Sequence, residues 1–169
     1  NLVYADSTNG WIPTSDIANA FDHDPPPTQK AIFAYGTTGD GGSVAGRISL
    51  SNLVNSSGVI ASDVSGVGTA RYVLEAAGYG NDKAIFAFGH TTGKVSLSNL
   101  VNNSGVVASD TTGVGTARSS LGAATYGTDK AIFAYGQTPS NVSMSNLVSS
   151  SGVVGSDVTG VGTARRGLA

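Results

Sequence analysis

The chain repeats itself with a period of 47 residues, and this feature constrains its fold more than any other. The run Gly-Val-Gly-Thr-Ala-Arg ends at Arg71, Arg118 and Arg165. The tetrapeptide Ser-Asn-Leu-Val and the dipeptide Ser-Asp recur at the same interval. Such a repeat indicates structural units that bury their apolar faces against their neighbours.

The repeat also divides the chain. Residues 1–29 lie outside it, and three consecutive prolines near their end predict a stiff, extended connector. A Gly-rich insertion lengthens one loop of the first repeat. The predicted units are an N-terminal segment with its linker (1–29), repeat 1 (30–71), repeat 2 (72–118) and repeat 3 (119–169), the last with an incomplete unit at its C-terminal end.

Each repeat predicts four short strands separated by turns. In repeat 2, Lys83–Phe88 is apolar on both faces and bounded by turn residues, which is typical of a strand buried on both sides. Val95–Ser98 alternates apolar and polar residues, Val106–Ser109 is a further short strand, and an apolar stretch ends at Ala77. Four strands in 47 residues indicate an all-β, β-propeller-like fold of four-stranded antiparallel blades. A β-solenoid with two coils per repeat is the alternative.

Composition excludes several classes of function. The chain has no Cys, so it can form neither disulfides nor cysteine-based zinc sites. Nine basic residues and a net charge of −2 argue against nucleic-acid binding, and no apolar run is long enough to span a membrane. His23 and His90 lie in unlike contexts, and Glu75 is the single glutamate. We therefore predict no metal site, no cofactor and no enzymatic activity.

Aspartates and arginines recur with the period. The aspartates Asp63, Asp110 and Asp157 each lie three residues before a glycine, which favours turns whose carboxylates accept backbone amides over calcium loops. Arg71, Arg118 and Arg165 are interpreted as structural residues between units, paired with these aspartates, rather than as a ring of ligand-binding groups.

The loops that follow the Ile-Phe strands differ between repeats, and variable loops on a constant scaffold are a usual place for recognition. Their polar, largely uncharged side chains suit hydrogen bonding to glycans. The candidate binding residues are Thr37, Thr38 and Asp40 in repeat 1, His90, Thr91 and Thr92 in repeat 2, and Gln137, Thr138 and Asn141 in repeat 3.

The order of features in repeat 2 resembles a divergent kelch repeat. Arg71 precedes the stretch Tyr72–Ala77, a turn at Gly78–Asp82, and the strand Lys83–Gly89. A single Gly stands where the kelch pattern has two, and the family's later Tyr and Trp are absent. The resemblance implies a β-propeller. Three blades do not close a ring of the usual four to eight, so we expect an oligomer or a longer chain.

A second resemblance is to tailed-phage tail-fibre and virion structural proteins. It rests on the segments Tyr4–Asp6 and Gly10–Asp16, and on Ala-Ile-Phe-Ala-Tyr-Gly combined with Ser-Asn-Leu-Val. It implies a virion protein that presents its loops to a host glycan or another virion protein and associates with copies of itself. The alternatives are an adhesin or filament subunit of a bacterial surface, which is extracellular, and a propeller-type carbohydrate-active enzyme.

Overall fold

The computed structural model describes residues 2–6, 10–13, 30–39 and 44–168. These residues form short β-strands, one 3-10 turn at Val44–Gly46 and no α-helix. The all-β class is therefore confirmed. The strands are β1 (Leu2–Asp6), β2 (Gly10–Pro13), β3 (Ala31–Thr37), β4 (Arg47–Val54), β5 (Glu75–Tyr79), β6 (Lys83–Ala87), β7 (Ser98–Val101), β8 (Gly122–Tyr126), β9 (Lys130–Ala134) and β10 (Ser145–Val148).

The strands form small antiparallel sheets that follow the repeat. Strands β5, β6 and β7 pair in that order in repeat 2, and β8, β9 and β10 do the same in repeat 3. In repeat 1, β3 pairs with β4. Outside the repeats, β1 pairs with β2 as a separate hairpin. A fourth segment follows each last strand through isolated bridges, such as Val101 with Val107 and Ser98 with Thr111. Each complete repeat is thus an antiparallel meander of three strands and one bridged segment.

The predicted strands have different bounds in the structure, and the strand predicted at Val106–Ser109 is only an isolated bridge at Val107. The strand predicted at Val95–Ser98 lies at Ser98–Val101, because the backbone of Val95 still bonds to Gly89 in the preceding loop. The strand predicted at Lys83–Phe88 ends at Ala87, since Phe88 adopts a left-handed φ of 63°. Its burial on both faces is as predicted, with Ile85 and Phe86 both buried.

The apolar core lies between repeats rather than within one sheet. Phe86 of repeat 2 packs edge-on against Tyr35 of repeat 1, with ring centroids 5.5 Å apart. Phe133 of repeat 3 packs against Phe88 of repeat 2 with the two rings tilted and their centroids 5.6 Å apart. Strand β5 also packs against β8 and β9. Each sheet therefore uses its neighbour to cover the apolar side chains that it cannot cover alone.

Along the described ranges, no helix has the length and apolar character needed to cross a membrane.

Candidate functional site

The recurring arginines lie at the junctions between repeats. Arg71 is fully buried, and its Nε donates to the carbonyl of Phe88 at 2.9 Å. Its Nη2 donates to Oδ1 of Asn99 at 2.6 Å, and its Nη1 to the carbonyl of Thr69 at 3.2 Å. The guanidinium lies 4.3 Å from the ring centroid of Tyr35. One side chain thus contacts repeat 1 through its face and its bond to Thr69, and repeat 2 through its bonds to Phe88 and Asn99.

Asp110 completes the first junction. Its carboxylate accepts the backbone amide of Thr69 at 3.0 Å and the Thr69 hydroxyl at 2.6 Å. Asn99 donates to it from Nδ2 at 2.9 Å, and Arg71 Nη1 lies 3.8 Å from Oδ1. The sequence predicted turns closed by aspartate, whereas this aspartate binds an amide 41 residues away in the preceding repeat. Tyr35, Thr69, Arg71, Asn99 and Asp110 are called the first junction cluster below.

The second junction repeats the first with little change. Its cluster consists of Phe88, Thr116, Arg118, Asn146 and Asp157. Arg118 is fully buried and lies 4.1 Å above the Phe88 ring, and the Thr116 hydroxyl donates to Asp157 at 2.6 Å. Arg118 Nη2 donates to the carbonyl of Phe133 at 3.2 Å. Within the described residues, Oδ1 of Asn146 has no hydrogen-bond partner, which distinguishes this junction from the first.

The third copies of these motifs are separated, one part at each end of the array. Asp63 accepts a bond from Asn52 Nδ2 at 2.8 Å and is exposed. Arg165 is also exposed, stacks 4.0 Å above the Tyr135 ring, and donates to the carbonyl of Thr163 at 3.3 Å. These residues have the geometry of the junction clusters without the opposite half.

The charges in the first junction cluster affect one another. Burial lowers the pKa of the Arg71 guanidinium, while Tyr35 and Asp110 oppose that shift. Arginine nevertheless stays protonated at ordinary pH. Burial alone would raise the pKa of the Asp110 carboxyl, but hydrogen bonds from Thr69 and Asn99 and the charge of Arg71 together hold it below its usual value. The same balance lowers the pKa of Asp157. Both junctions thus hold an ion pair in its charged form.

The aromatic residue under each arginine is held in an uncommon conformation. Tyr35, Phe88 and Tyr135 have φ values of 66°, 63° and 63°, and each is followed by a glycine that also has positive φ. A left-handed φ costs a non-glycine residue about 1–2 kcal/mol. The turn aims the ring at the guanidinium of the next junction, so stacking and hydrogen bonds offset this cost. Analysis of the sequence missed the role of these aromatics, of the Asn in Ser-Asn-Leu-Val and of the Thr before each Arg, although all three recur with the period.

Each candidate binding loop follows the equivalent strand of its repeat, which is β3, β6 or β9. Thr91 and Thr138 are half-buried and bond within their own loops, to the carbonyls of Gly93 and Ser140. Thr38 bonds in the same way to Gly46, and Thr37 to Gly39. These four threonines therefore shape the loops. Asp40 lies outside the described residues.

The remaining candidates form the surface of the loops. Thr92 and Asn141 are exposed, while His90 and Gln137 are half-buried at the start of their loops. His90 Nδ1 lies 2.6 Å from the carbonyl of Thr91, and its ring packs edge-on against Tyr72 at 5.5 Å. In the two complete loops the bridges are identical, His90 with Lys94 and Gln137 with Asn141. One backbone frame thus carries two different sets of side chains.

Comparisons with known proteins bear on the fold. Neither the protein-family models nor the curated proteins contain a match. Among solved structures, a fungal alcohol oxidase with catalytic diversity in the AA5 family, in complex with copper, matches with a TM-score of 0.53 and 11% identity. The match covers 77% of this chain and 28% of the oxidase, so this chain spans little more than a quarter of that protein. The likeness shows a shared fold.

Over the described ranges, no group of three or more His, Cys, Asp or Glu residues is placed to hold a metal ion.

Proposed function

We propose that the chain is a structural and recognition protein whose repeats are successive blades of a propeller-like array. Its recurring arginines, asparagines and aspartates hold the blades together, and its loops contact a ligand. The observation that carries this proposal is the use of the recurring charged groups. In both complete junctions they are bound to one another and to backbone carbonyls, so they act as connectors rather than as reactive groups.

The sheet geometry supports the proposal of blades. A blade is a small antiparallel meander that buries both faces against its neighbours. Repeats 2 and 3 have such meanders, and the central strand β6 of repeat 2 is buried on both faces. The shared fold with part of the fungal oxidase is consistent with this arrangement.

A virion or tail-fibre location is the context that we propose for this protein. It rests on the resemblance of the N-terminal segments and of the repeat motifs to tailed-phage structural proteins. A chain built from stacked identical junctions also suits an extended surface structure, since such arrays lengthen by adding repeats. The partners that we propose are other virion proteins, further copies of the chain and a host surface glycan.

The glycan is proposed from the chemistry of the loops. Thr92, Gln137 and Asn141 offer hydroxyl and amide groups, which match the hydroxyl groups of sugars as donors and acceptors. Loops that follow equivalent strands in successive repeats would also bind a repetitive polysaccharide at several points. Multivalent contact of this kind raises overall avidity without strengthening any single site.

A loop exchange tests the proposal. The loop His90–Lys94 is converted into the sequence of Gln137–Asn141 by four substitutions: His90→Gln, Thr92→Pro, Gly93→Ser and Lys94→Asn. Both loops have five residues and the same bridges, so the fold should be kept. Binding is measured on an array of bacterial surface oligosaccharides and polysaccharides. We expect the wild-type chain to bind a subset of these, and the exchange to weaken that binding at least tenfold or change the subset.

The matched control is Asn103→Ser, in the turn at the opposite end of β7, which should leave the binding pattern unchanged. Absence of glycan binding by the wild-type chain, or equal binding by the loop variant, would contradict the proposed role of the loops. Release of shortened sugars from a bound polysaccharide would instead support the alternative of a carbohydrate-active enzyme.

A further inference from the structure

Repeat 3 ends with the half of a junction that supplies the arginine and its hydrogen-bond donors. Arg165 stacks on Tyr135 and bonds to the carbonyl of Thr163, as Arg71 and Arg118 do with their own neighbours. The amide of Gly136 binds the carbonyl of Arg165 at 3.0 Å, as Gly36 binds that of Arg71. Tyr135, Gly162, Thr163 and Arg165 are called the donor half. Its geometry is already that of a complete junction, while the Arg165 guanidinium is exposed.

Repeat 1 carries the other half of a junction, which accepts hydrogen bonds from an arginine and a threonine. Asn52 donates from Nδ2 to the carbonyl of Ala61 at 3.1 Å and to Asp63 at 2.8 Å, which is how Asn99 and Asn146 hold their own aspartates. Asn52 and Asp63 are called the acceptor half, and both line a groove of about 540 Å³. The sequence has no arginine before Arg47, so residues 1–29 cannot supply the missing guanidinium.

Apolar side chains beside the two halves are exposed where their equivalents are covered. Phe33 is 61% exposed, whereas Phe86 and Phe133, at the same position in the following repeats, are 5% and 0% exposed. Each of those two rings is covered by an aromatic of the preceding repeat. Phe33 lacks such a cover, and Tyr135 in the donor half is the next member of that aromatic series.

A leucine and a glycine show the same complementarity. Leu53 lies against Gly105 of the next repeat, and Leu100 lies against Gly152. Leu147, the third leucine of that series, is 42% exposed. At Gly58, the corresponding glycine of repeat 1, an added Cβ would have no other atom within 4 Å. The two ends of the chain thus present matching parts of one interface, which the chain already forms twice internally.

We propose that a second copy of this chain supplies the missing half, and that copies associate head to tail. In this arrangement, Thr163 and Arg165 of one copy bind Asn52 and Asp63 of the next. Tyr135 covers Phe33, and Leu147 packs over Gly58.

The Arg165 guanidinium and the Asp63 carboxylate are of opposite charge, so unlike ends attract each other and like ends repel. An interface between unlike surfaces builds either a ring or an open filament. The proposal does not depend on any ligand of the loops.

Two single substitutions test it, one for each half. Asp63→Ala removes the acceptor and Arg165→Ala removes the donor, and both residues are exposed, so neither change threatens the fold. Mass is measured by light scattering over about 1–500 µM, a range that brackets micromolar interfaces. We expect the mass of the wild-type chain to rise with concentration to at least twice that of the monomer, while each variant alone stays monomeric.

Mixing the two variants gives the sharpest result. The Asp63→Ala chain keeps its donor half and the Arg165→Ala chain keeps its acceptor half, so an equimolar mixture can form one intact interface. We expect a heterodimer of one copy of each and nothing larger. Asp129→Ala and Arg166→Ala, which change the same charges outside both halves, should assemble like the wild-type chain.

A third variant probes the fit at the donor half. An added Cβ at Gly115 would collide with the carboxylate of Asp157 in the next repeat, so Gly162→Ala should collide with Asp63 of a second copy and prevent assembly. A wild-type chain that stays monomeric over the whole range would overturn the proposal. It would also fail if the mixture stayed monomeric, or if either single variant assembled as the wild-type chain does.

Discussion

Arg71 and Arg118 are buried ions, and removing an ion from water costs several kcal/mol unless other groups replace the lost hydration. The junctions supply these groups through a carboxylate, two or more backbone carbonyls and an aromatic face. The planar guanidinium can donate in several directions while its face stacks on a ring, which an ammonium group cannot do. The residue type at these positions therefore follows from the geometry of the junction.

Replacing a buried arginine by lysine should cost far more than replacing the exposed one. Arg71→Lys leaves the carbonyl of Phe88 and Oδ1 of Asn99 without their donors, and each unsatisfied buried group costs about 1–3 kcal/mol. We expect a loss of about 3 kcal/mol in the free energy of unfolding, measured in urea. The matched control is Arg165→Lys, which we expect to change stability by less than about 0.5 kcal/mol. Both are made in an Asp63→Ala background to exclude end-to-end association, and equal effects would contradict a structural role for the junction.

The lowered pKa of Asp110 and of Asp157 gives stability a specific dependence on pH. A carboxyl whose pKa is lower in the folded state stabilises the fold above its unfolded pKa of about 3.9, and this contribution is lost as pH falls through the folded pKa. We expect the free energy of unfolding to fall as pH is lowered from about 5. In Asp157→Asn this fall should be smaller, whereas Asp129→Asn, outside the junctions, should follow the wild-type curve. A wild-type slope in Asp157→Asn would refute the assignment.

At this scale the sequence indicated arginine and aspartate as recurring residues but not the Asn, Thr and aromatic residues around them. A fixed interval of 47 residues led to a structural interpretation of arginine and aspartate as a pair. It did not indicate that Asn99 stands between them, because a lone polar residue inside an apolar tetrapeptide has no characteristic local pattern. The positive φ of Phe88 was also hidden, since the tertiary contact with Arg118 holds a conformation that the residue alone disfavours.

At the scale of elements, the hydrophobic pattern predicted where the strands lie better than where they begin and end. The doubly apolar run Lys83–Phe88 predicted a strand buried on both faces, and β6 is such a strand. The bounds of β7 were missed by three residues, because Val95–Ser98 alternates as a strand would although Val95–Leu97 belong to the loop before β7. Periodicity thus locates a strand, while its end is set by hydrogen bonds to the loop before it.

The turn before each complete junction requires glycine for its positive φ and for the close approach of the next repeat. Gly115 and Gly162 allow the two requirements to be measured separately. Gly115 and Gly162 have nearly equal φ values of +77° and +78°. An added Cβ at Gly115 would collide with Asp157 and lie 2.6 Å from Asn146 Nδ2, whereas at Gly162 the nearest atom is the Tyr135 hydroxyl at 3.6 Å.

Gly162→Ala should therefore cost only the strain of positive φ, about 1–2 kcal/mol. Gly115→Ala should cost about 2 kcal/mol more, because overpacking displaces the carboxylate from its bonds. Urea denaturation in the Asp63→Ala background compares them. If the two losses agree within about 0.5 kcal/mol, the close packing of Gly115 against the next repeat contributes nothing.

The whole molecule is built by repetition of one junction, so its stability depends on the number of junctions as well as on the quality of each repeat. The six residues that end at Arg71 are identical to those that end at Arg118, and the Asn and Asp that receive them recur in the next repeat. A repeat placed in phase should therefore find on both sides the partners that it has now.

Duplicating residues 72–118 directly after Arg118 tests this additivity. The new chain has four repeats and three complete junctions, because Arg118 meets the Asn and Asp of the inserted copy, and the arginine of that copy meets Asn146 and Asp157. Each further junction adds buried apolar surface and a further ion pair, so the midpoint of urea unfolding should rise and the transition should remain cooperative. Duplicating residues 72–95 instead inserts about half a period that contains no arginine, no Ser-Asn-Leu-Val and no Ser-Asp, so it adds no junction and should lower the midpoint. If the chain with the full-period duplication is no more stable in urea than the original chain, the number of junctions does not determine the stability of the molecule.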